Sequence, residues 1–193
     1  MAISLSKGQK ISLAKETGDT LSQIRMGLGW DMAKPKGFFA RLSTPTPVDL
    51  DASCILFNAS GQIVDSVWFK QLKSKDGLVA HSGDNRTGEG AGDDESITAE
   101  LSQLPTTVTA LVFVVNSFTG QSFEQVASAY CRILDAKKNT EIARFDLSCQ
   151  GSHTGQIMAK VYRHQSEWKM HAIGENATGR TFEDMLPQLR NIL

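Results

Sequence analysis

One short segment of this sequence has an unusual density of groups that can bind a cation. Residues 83–95, GDNRTGEGAGDDE, contain five carboxylates and four glycines. Crowded carboxylates repel one another, and glycines let the backbone turn its carbonyl oxygens inward. Calcium accepts roughly six to eight oxygen ligands of both kinds in flexible geometry. The loop therefore predicts a hard-cation site, with the candidate ligands Asp84, Asn85, Gly88, Glu89, Asp93, Asp94 and Glu95.

Other interpretations fit the composition of this loop less well. Most charge runs are solvated turns, but that interpretation does not explain why Asp93, Asp94 and Glu95 lead directly into a strand-like segment. A phosphate cradle needs a neutral or positive nest, so its charge has the wrong sign here. Soft metals would need cysteines or paired histidines, whereas magnesium stays open as an alternative ion. The loop is not an EF-hand, since Arg86 and Glu89 occupy its third and sixth positions.

Three acidic residues outside the loop are further candidate ligands. The period of two in residues 49–54 places Asp49, Asp51 and Ser53 on one face of a strand. Adjacent aspartates on a strand face are disfavoured unless water or a cation compensates their charge. Asp31 closes the strand-like segment 24–30 and is an isolated candidate. Taken alone, each of these acids is more often a solvent-facing residue than a ligand.

Composition excludes several classes of protein. The chain has 193 residues and a net charge of −1 without a basic block, so we expect no nucleic-acid partner. The longest apolar run, residues 110–115, is too short to span a bilayer, and the start lacks the apolar core of a signal peptide. Three cysteines without CxxC spacing are typical of reduced thiols. These features predict a cytoplasmic protein without a transmembrane segment.

Short alternating segments separated by turns predict an all-β fold, a two-sheet β-sandwich with a few short helices. The expected strands cover residues 24–30, 49–57, 63–69, 96–101, 110–117, 129–134, 141–146, 156–163 and 167–173. The expected helices are 122–127 and a C-terminal helix, 181–193, in which Pro187 predicts a kink or a late start. The proline-rich and basic residues 33–47 predict a surface excursion within a single domain, residues 1–193.

Five segments in the same order resemble the TerD family of tellurite-resistance and stress proteins. They are SLSKG (4–8), GLGWD (27–31), DLDAS (49–53), the acidic loop 83–95, and YRH with EWK (162–164 and 167–169). The acidic loop is the most specific of these motifs. Ala91 departs from the pattern, because family members often carry an acid there, and the excursion 33–47 is longer and more basic than in the shortest members. That excursion suggests a TerZ-like or TerD-like branch.

The resemblance implies a two-sheet β-sandwich in a bacterial cytoplasm that binds Ca²⁺, with two ions expected and one of them weakened by Ala91. It also implies a role in resistance to tellurite and other stresses, with partners among other proteins of the same resistance system. No catalytic residue is expected. The leading hypothesis is therefore a non-enzymatic calcium-binding protein.

An enzyme or redox protein is the alternative function. Cys149 and His153 lie four residues apart and could form a nucleophile and a base, or a cysteine could act on tellurite directly. His81, beside the acidic loop, could act on a metal-bound substrate. The sequence gives no reason for a lowered thiol pKa, and it contains no motif that implies a catalytic mechanism.

Overall fold

The structure of this chain is a computed structural model. It describes residues 2–18, 21–32, 48–85, 92–149, 151–165 and 167–193, and for Met32 the backbone alone. The predicted surface excursion 33–47 lies outside the described residues. So do residues 86–91, which form the middle of the acidic loop.

Two six-stranded sheets form the fold, as the all-β prediction required. Sheet A has the order β1-β10-β9-β3-β7-β6 and consists of β1 (Ile3–Ser4), β10 (Thr140–Asp146), β9 (Val126–Asp135), β3 (Ile24–Met32), β7 (Glu95–Ala99) and β6 (Val79–His81). Sheet B has the order β2-β12-β11-β8-β4-β5 and consists of β2 (Lys10–Ser12), β12 (Glu167–Ala177), β11 (Gly155–His164), β8 (Ala110–Ser117), β4 (Leu50–Phe57) and β5 (Ile63–Val67). Except for the parallel β1–β10 pair, neighbouring strands are antiparallel.

The main core lies between the two sheets. Alternate residues of β4, Leu50, Ala52 and Cys54, face sheet A, and Ile55 and Phe57 belong to a second apolar cluster on the outer side of sheet B. Helix α2 (Phe182–Arg190) covers that outer side. Because both faces of the central strands are covered, β4 and β8 are buried along their full length, which explains their nearly continuous apolar sequence.

Helix α2 begins at a capping box. The Thr181 side chain caps the helix, and the Asp184 carboxylate accepts backbone hydrogen bonds in return. Phe182, Met185 and Leu189 are buried against sheet B at helical spacing. The helix continues through Pro187, so the predicted late start is wrong.

The predicted strands are all present, with small differences at their ends. The predicted helix at 122–127 is wrong: a single 3-10 turn spans Phe123–Gln125, and Val126 already begins β9. The short helix α1 (Leu13–Thr17) was not expected. Its first residues continue the alternation of β2, but the Ser12 hydroxyl accepts from the Lys15 amide and caps the helix.

No helix in the described ranges is both long enough and apolar enough to cross a membrane.

Candidate metal centre

Three of the predicted ligands meet where β4 begins and β6 ends. Asp49 and Asp51 come from the start of β4, and Asp84 follows β6 from the other sheet. One carboxylate oxygen from each of the three lies within 4.8 Å of the others. Among the described residues, this is the one group of three or more acidic, histidine or cysteine side chains with that spacing.

Asp51 is the most buried member of this group. Its side chain is buried, with 3% of the residue exposed, whereas Asp49 is half-buried and Asp84 is exposed. Burial, together with the charges of Glu95, Asp49 and Asp84, raises the pKa of the Asp51 carboxyl to about 8. No group in the described part of the chain forms a hydrogen bond with its Oδ2. Such an oxygen is costly to bury unless a cation or a proton occupies the site.

Glu95, another predicted ligand, ties the two sheets together beside this group. Its Oε2 accepts the backbone N–H of Ala52 in sheet B at 2.7 Å, and its Oε1 accepts the N–H of Asn85 at 3.1 Å. The His81 Nε2 lies 3.3 Å from Glu95 Oε2 and 3.2 Å from the Ala52 carbonyl. Because His81 Nδ1 accepts from Gly83 N–H at 3.0 Å, the ring proton is on Nε2. Glu95 and His81 therefore fix the entry of the loop.

Asp94 and Asn85 hold the two ends of the loop together. The Asp94 Oδ2 accepts the N–H of Trp30 at 2.8 Å, and its Oδ1 accepts from the Asn85 side chain at 3.2 Å. Burial raises the pKa of the Asp94 carboxyl, and the charges of Asp31, Asp93 and Glu95 act in the same direction against the hydrogen bond from Trp30. Both residues thus lie in the loop's own hydrogen-bond network.

Asp93 has a cationic partner on sheet A. Its Oδ1 lies 2.7 Å from Arg132 Nε and accepts from the Tyr130 hydroxyl at 3.3 Å, and this hydroxyl also donates to the Gly92 carbonyl at 2.8 Å. The carboxyl group lies directly over Gly27, where an added Cβ would come within 2.2 Å of it. Asp93 is therefore anchored on sheet A and is not a member of the three-carboxylate group.

The remaining predicted ligands divide into two sets. Asp31 is exposed on β3 and accepts a hydrogen bond from the Ser128 hydroxyl at 2.7 Å. Gly88 and Glu89 lie outside the described residues.

Sequence reasoning did not identify Tyr130 and Arg132, the side chains that hold Asp93 on sheet A. Alternation along β9 could have placed Tyr130 and Arg132 together on one face. Nothing in the sequence indicates, however, that this face meets Asp93.

The donor set suits a hard cation. Asp49, Asp51 and Asp84 offer only carboxylate oxygens, the ligands that calcium and magnesium prefer. A cation among them would neutralise their repulsion and compensate the buried Asp51 oxygen. The three residues fit such an ion on both charge and ligand type.

The thiol alternative receives little support from its residues. Burial raises the pKa of all three cysteines, to about 12 for Cys131. The half-buried Cys149 donates to the Leu147 carbonyl at 3.8 Å. His153 stacks on Phe123, its Nε2 lies 3.2 Å from the Ser148 carbonyl, and burial lowers its pKa. A nucleophilic thiol needs a lowered pKa, which is the opposite of what this site produces.

The fold and this site define a β-sandwich with an oxygen-rich acidic cluster at one end of its two sheets. The family model for the TerD domain matches residues 1–188, and this chain belongs to that family. It is 47% identical to the tellurium resistance protein TerZ of Serratia marcescens, covering 95% of this chain and 94% of that protein. It is 39% identical to the stress response protein SCP2 of Bacillus subtilis, with 96% and 98% covered.

A solved structure shares the fold. The crystal structure of a homologue of the telluride resistance protein TerD from Streptomyces coelicolor matches with a TM-score of 0.67, covering 82% of this chain and 92% of that chain at 21% identity. The resemblance of this sequence to the TerD family is confirmed.

Proposed function

We propose that this chain is a non-enzymatic calcium-binding protein of a bacterial tellurite and stress resistance system. It acts in the cytoplasm as a single domain and works with other proteins of that system. The names of the relatives in Serratia marcescens and Bacillus subtilis support the resistance and stress part of this proposal. The calcium-binding part of the proposal rests on the residues of the site.

One observation carries the calcium proposal. The buried Asp51 carboxylate, with an oxygen that receives no hydrogen bond from any described group, has an oxygen within 4.8 Å of oxygens from Asp49 and Asp84. Calcium is favoured over magnesium because the neighbouring loop is rich in glycine and acids, which suits a large and flexible coordination shell. A second ion would need ligands from the loop residues beyond these three.

The test is calorimetry with calcium and with magnesium on protein stripped by a chelator, together with the melting temperature against free calcium. Calcium binds the folded state, so the free energy of unfolding should rise by about 2.7 kcal/mol at a hundredfold excess over Kd. Asp51→Asn and Asp49→Asn should weaken calcium binding, and Glu16→Gln, an exposed acid on α1, should not.

Two outcomes would contradict the proposal. The parent protein could show neither calcium heat nor a calcium-dependent shift in melting temperature. Alternatively, Asp51→Asn could respond to calcium as the parent does, in which case this cluster does not hold the ion. If magnesium binds more tightly than calcium, the proposed ion is magnesium and the proposed site is unchanged.

A further inference from the structure

Asn116, on β8, is a polar neighbour of Asp51 in sheet B. The register of the antiparallel β4–β8 pair places Asp51 directly opposite Asn116. Directly opposed residues share one face of the sheet, and their Cβ atoms lie about 4.5–5.5 Å apart. This is the outer face, since Val114 and Ile55, two and four residues away, pack there beneath α2.

The orientation of the Asn116 amide is fixed by a backbone carbonyl. Its Nδ2 donates to the carbonyl oxygen of Arg180 at 2.6 Å, and only the NH₂ end of the amide can do so. The Oδ1 therefore points elsewhere. It is buried, in a residue with 1% exposure, and no described group donates to it.

An acceptor oxygen beside a carboxylate is an unfavourable neighbour unless a positive charge lies between the two. Asp51 Oδ2 and Asn116 Oδ1 are both buried and both lack a donor in the described part of the chain. A buried acceptor without a partner is unfavourable, because its desolvation is not compensated. A side-chain amide carbonyl is an ordinary calcium ligand.

We propose that Asn116 is a further ligand of the cation held by Asp49, Asp51 and Asp84, and that its amide connects this cation to the C-terminal helix. The inference rests on the proposed calcium function and deepens it. Asn116 binds the ion through Oδ1 and holds Arg180 through Nδ2 at the same time.

The connection to α2 follows from the position of Arg180. This residue directly precedes the N-cap residue Thr181, and its own N–H donates to Asp184 Oδ2 at 2.8 Å. A ligand that the ion immobilises therefore fixes the backbone immediately before the helix. Calcium should slow amide hydrogen exchange in the first turn of α2 in the parent protein.

Two substitutions separate a ligand from a simple hydrogen-bonding role. Asn116→Ala removes both the oxygen and the donor, and its calcium Kd should rise at least roughly tenfold. Asn116→Asp keeps an oxygen and adds a negative charge, but it cannot donate to Arg180. Its calcium Kd should equal or fall below that of the parent, and the effect of calcium on exchange in α2 should be lost.

Calorimetry with calcium and hydrogen exchange on the full chain measure both effects, with Asn176→Ala as a control. Asn176 lies near the same end of sheet B, two strands from Asn116, and bonds to Gln156, so its loss should leave Kd unchanged.

An unchanged Kd in Asn116→Ala would overturn the inference. So would a Kd raised tenfold in Asn116→Asp, because the hydrogen bond to Arg180 would then be the whole role. If the alanine variant does not fold, the aspartate variant alone decides. Absence of calcium binding in the parent would overturn the proposed function together with this inference, whereas the variant results affect the inference alone.

Discussion

The guanidinium of Arg132 lies 2.7 Å from the carboxylate of Asp93 and 2.9 Å from that of Glu141. One cation on β9 thus joins the end of the acidic loop to the neighbouring strand β10. The hydrogen bond to Asp93 is the main cause that raises the pKa of Arg132. Although Asp93 is a predicted ligand, its carboxylate is engaged by a protein cation.

This pairing leads to the first prediction, which concerns Asp93→Asn. The substitution weakens a partly buried, charge-assisted contact, so the free energy of unfolding should fall by about 1 kcal/mol without calcium. Calcium affinity should fall less than in Asp51→Asn. Urea unfolding and calorimetry on both variants measure this difference. A larger loss of affinity in Asp93→Asn than in Asp51→Asn would place Asp93 in the ion's coordination shell.

The second prediction concerns pH. Burial raises the folded-state pKa of the Asp51 carboxyl from 3.8 to about 8, so the folded chain holds a proton that the unfolded chain has lost. That contribution to stability is fully present below pH 3.8 and is lost as the pH rises towards about 8. The slope from one such group reaches at most about 1.4 kcal/mol per pH unit.

The measurement is urea unfolding between pH 5 and pH 8 in a chelating buffer, for the parent and for Asp51→Asn. The parent should lose stability relative to the variant as the pH rises, and saturating calcium should reduce this difference, since the cation replaces the proton. Parallel pH profiles without calcium would show that Asp51 titrates normally.

The third prediction concerns two glycines of β3. A Cβ at Gly27 would come within 2.2 Å of the Asp93 carboxyl, and one at Gly29 within 2.5 Å of the Tyr130 ring. Gly27→Ala and Gly29→Ala should each lower the free energy of unfolding by about 1–3 kcal/mol through overpacking. Gly8→Ala is not a suitable comparison, because Gly8 has a positive φ and an alanine there would strain the backbone for a different reason.

Thermal and urea unfolding measure the two effects. In Gly27→Ala the loss should be smaller when Asp93 is also changed to alanine, because the clashing carboxyl is then absent. A loss that is equal in both backgrounds would mean that the close contact with Asp93 is not its cause.

The fourth prediction concerns the thiols and tests the redox alternative. Cys54 and Cys131 are fully buried, and burial raises the pKa of each. A thiol reagent should modify neither in the native protein, should modify the half-buried Cys149 slowly, and should modify all three in denaturant. Incubation of native protein with tellurite should consume no thiols. Rapid thiol loss that Cys149→Ser abolishes would favour the redox function.

The sequence by itself determined the sheet architecture and most of the strands. Residues 24–30 alternate because the strand turns one set of side chains towards the core, and such a local pattern can be read directly from the sequence. Residues 122–127 form only a 3-10 turn at Phe123–Gln125 and not the predicted helix, because a few helix-favouring residues cannot outweigh the pairing of β9 from Val126 onward. Helix α1 was missed because five residues are too few to show a helical period.

The acidic loop and the Asp49–Asp51 face were also visible in the sequence, because like charges crowded at short spacing require compensation wherever they lie. Only the tertiary structure decided which acids share a site. Asp84 reaches Asp51 across more than thirty intervening residues because the end of β6 lies beside the start of β4, in the other sheet. Asp93 is engaged by Arg132, and Asn116 faces Asp51, through strand register, which depends on pairing between distant segments.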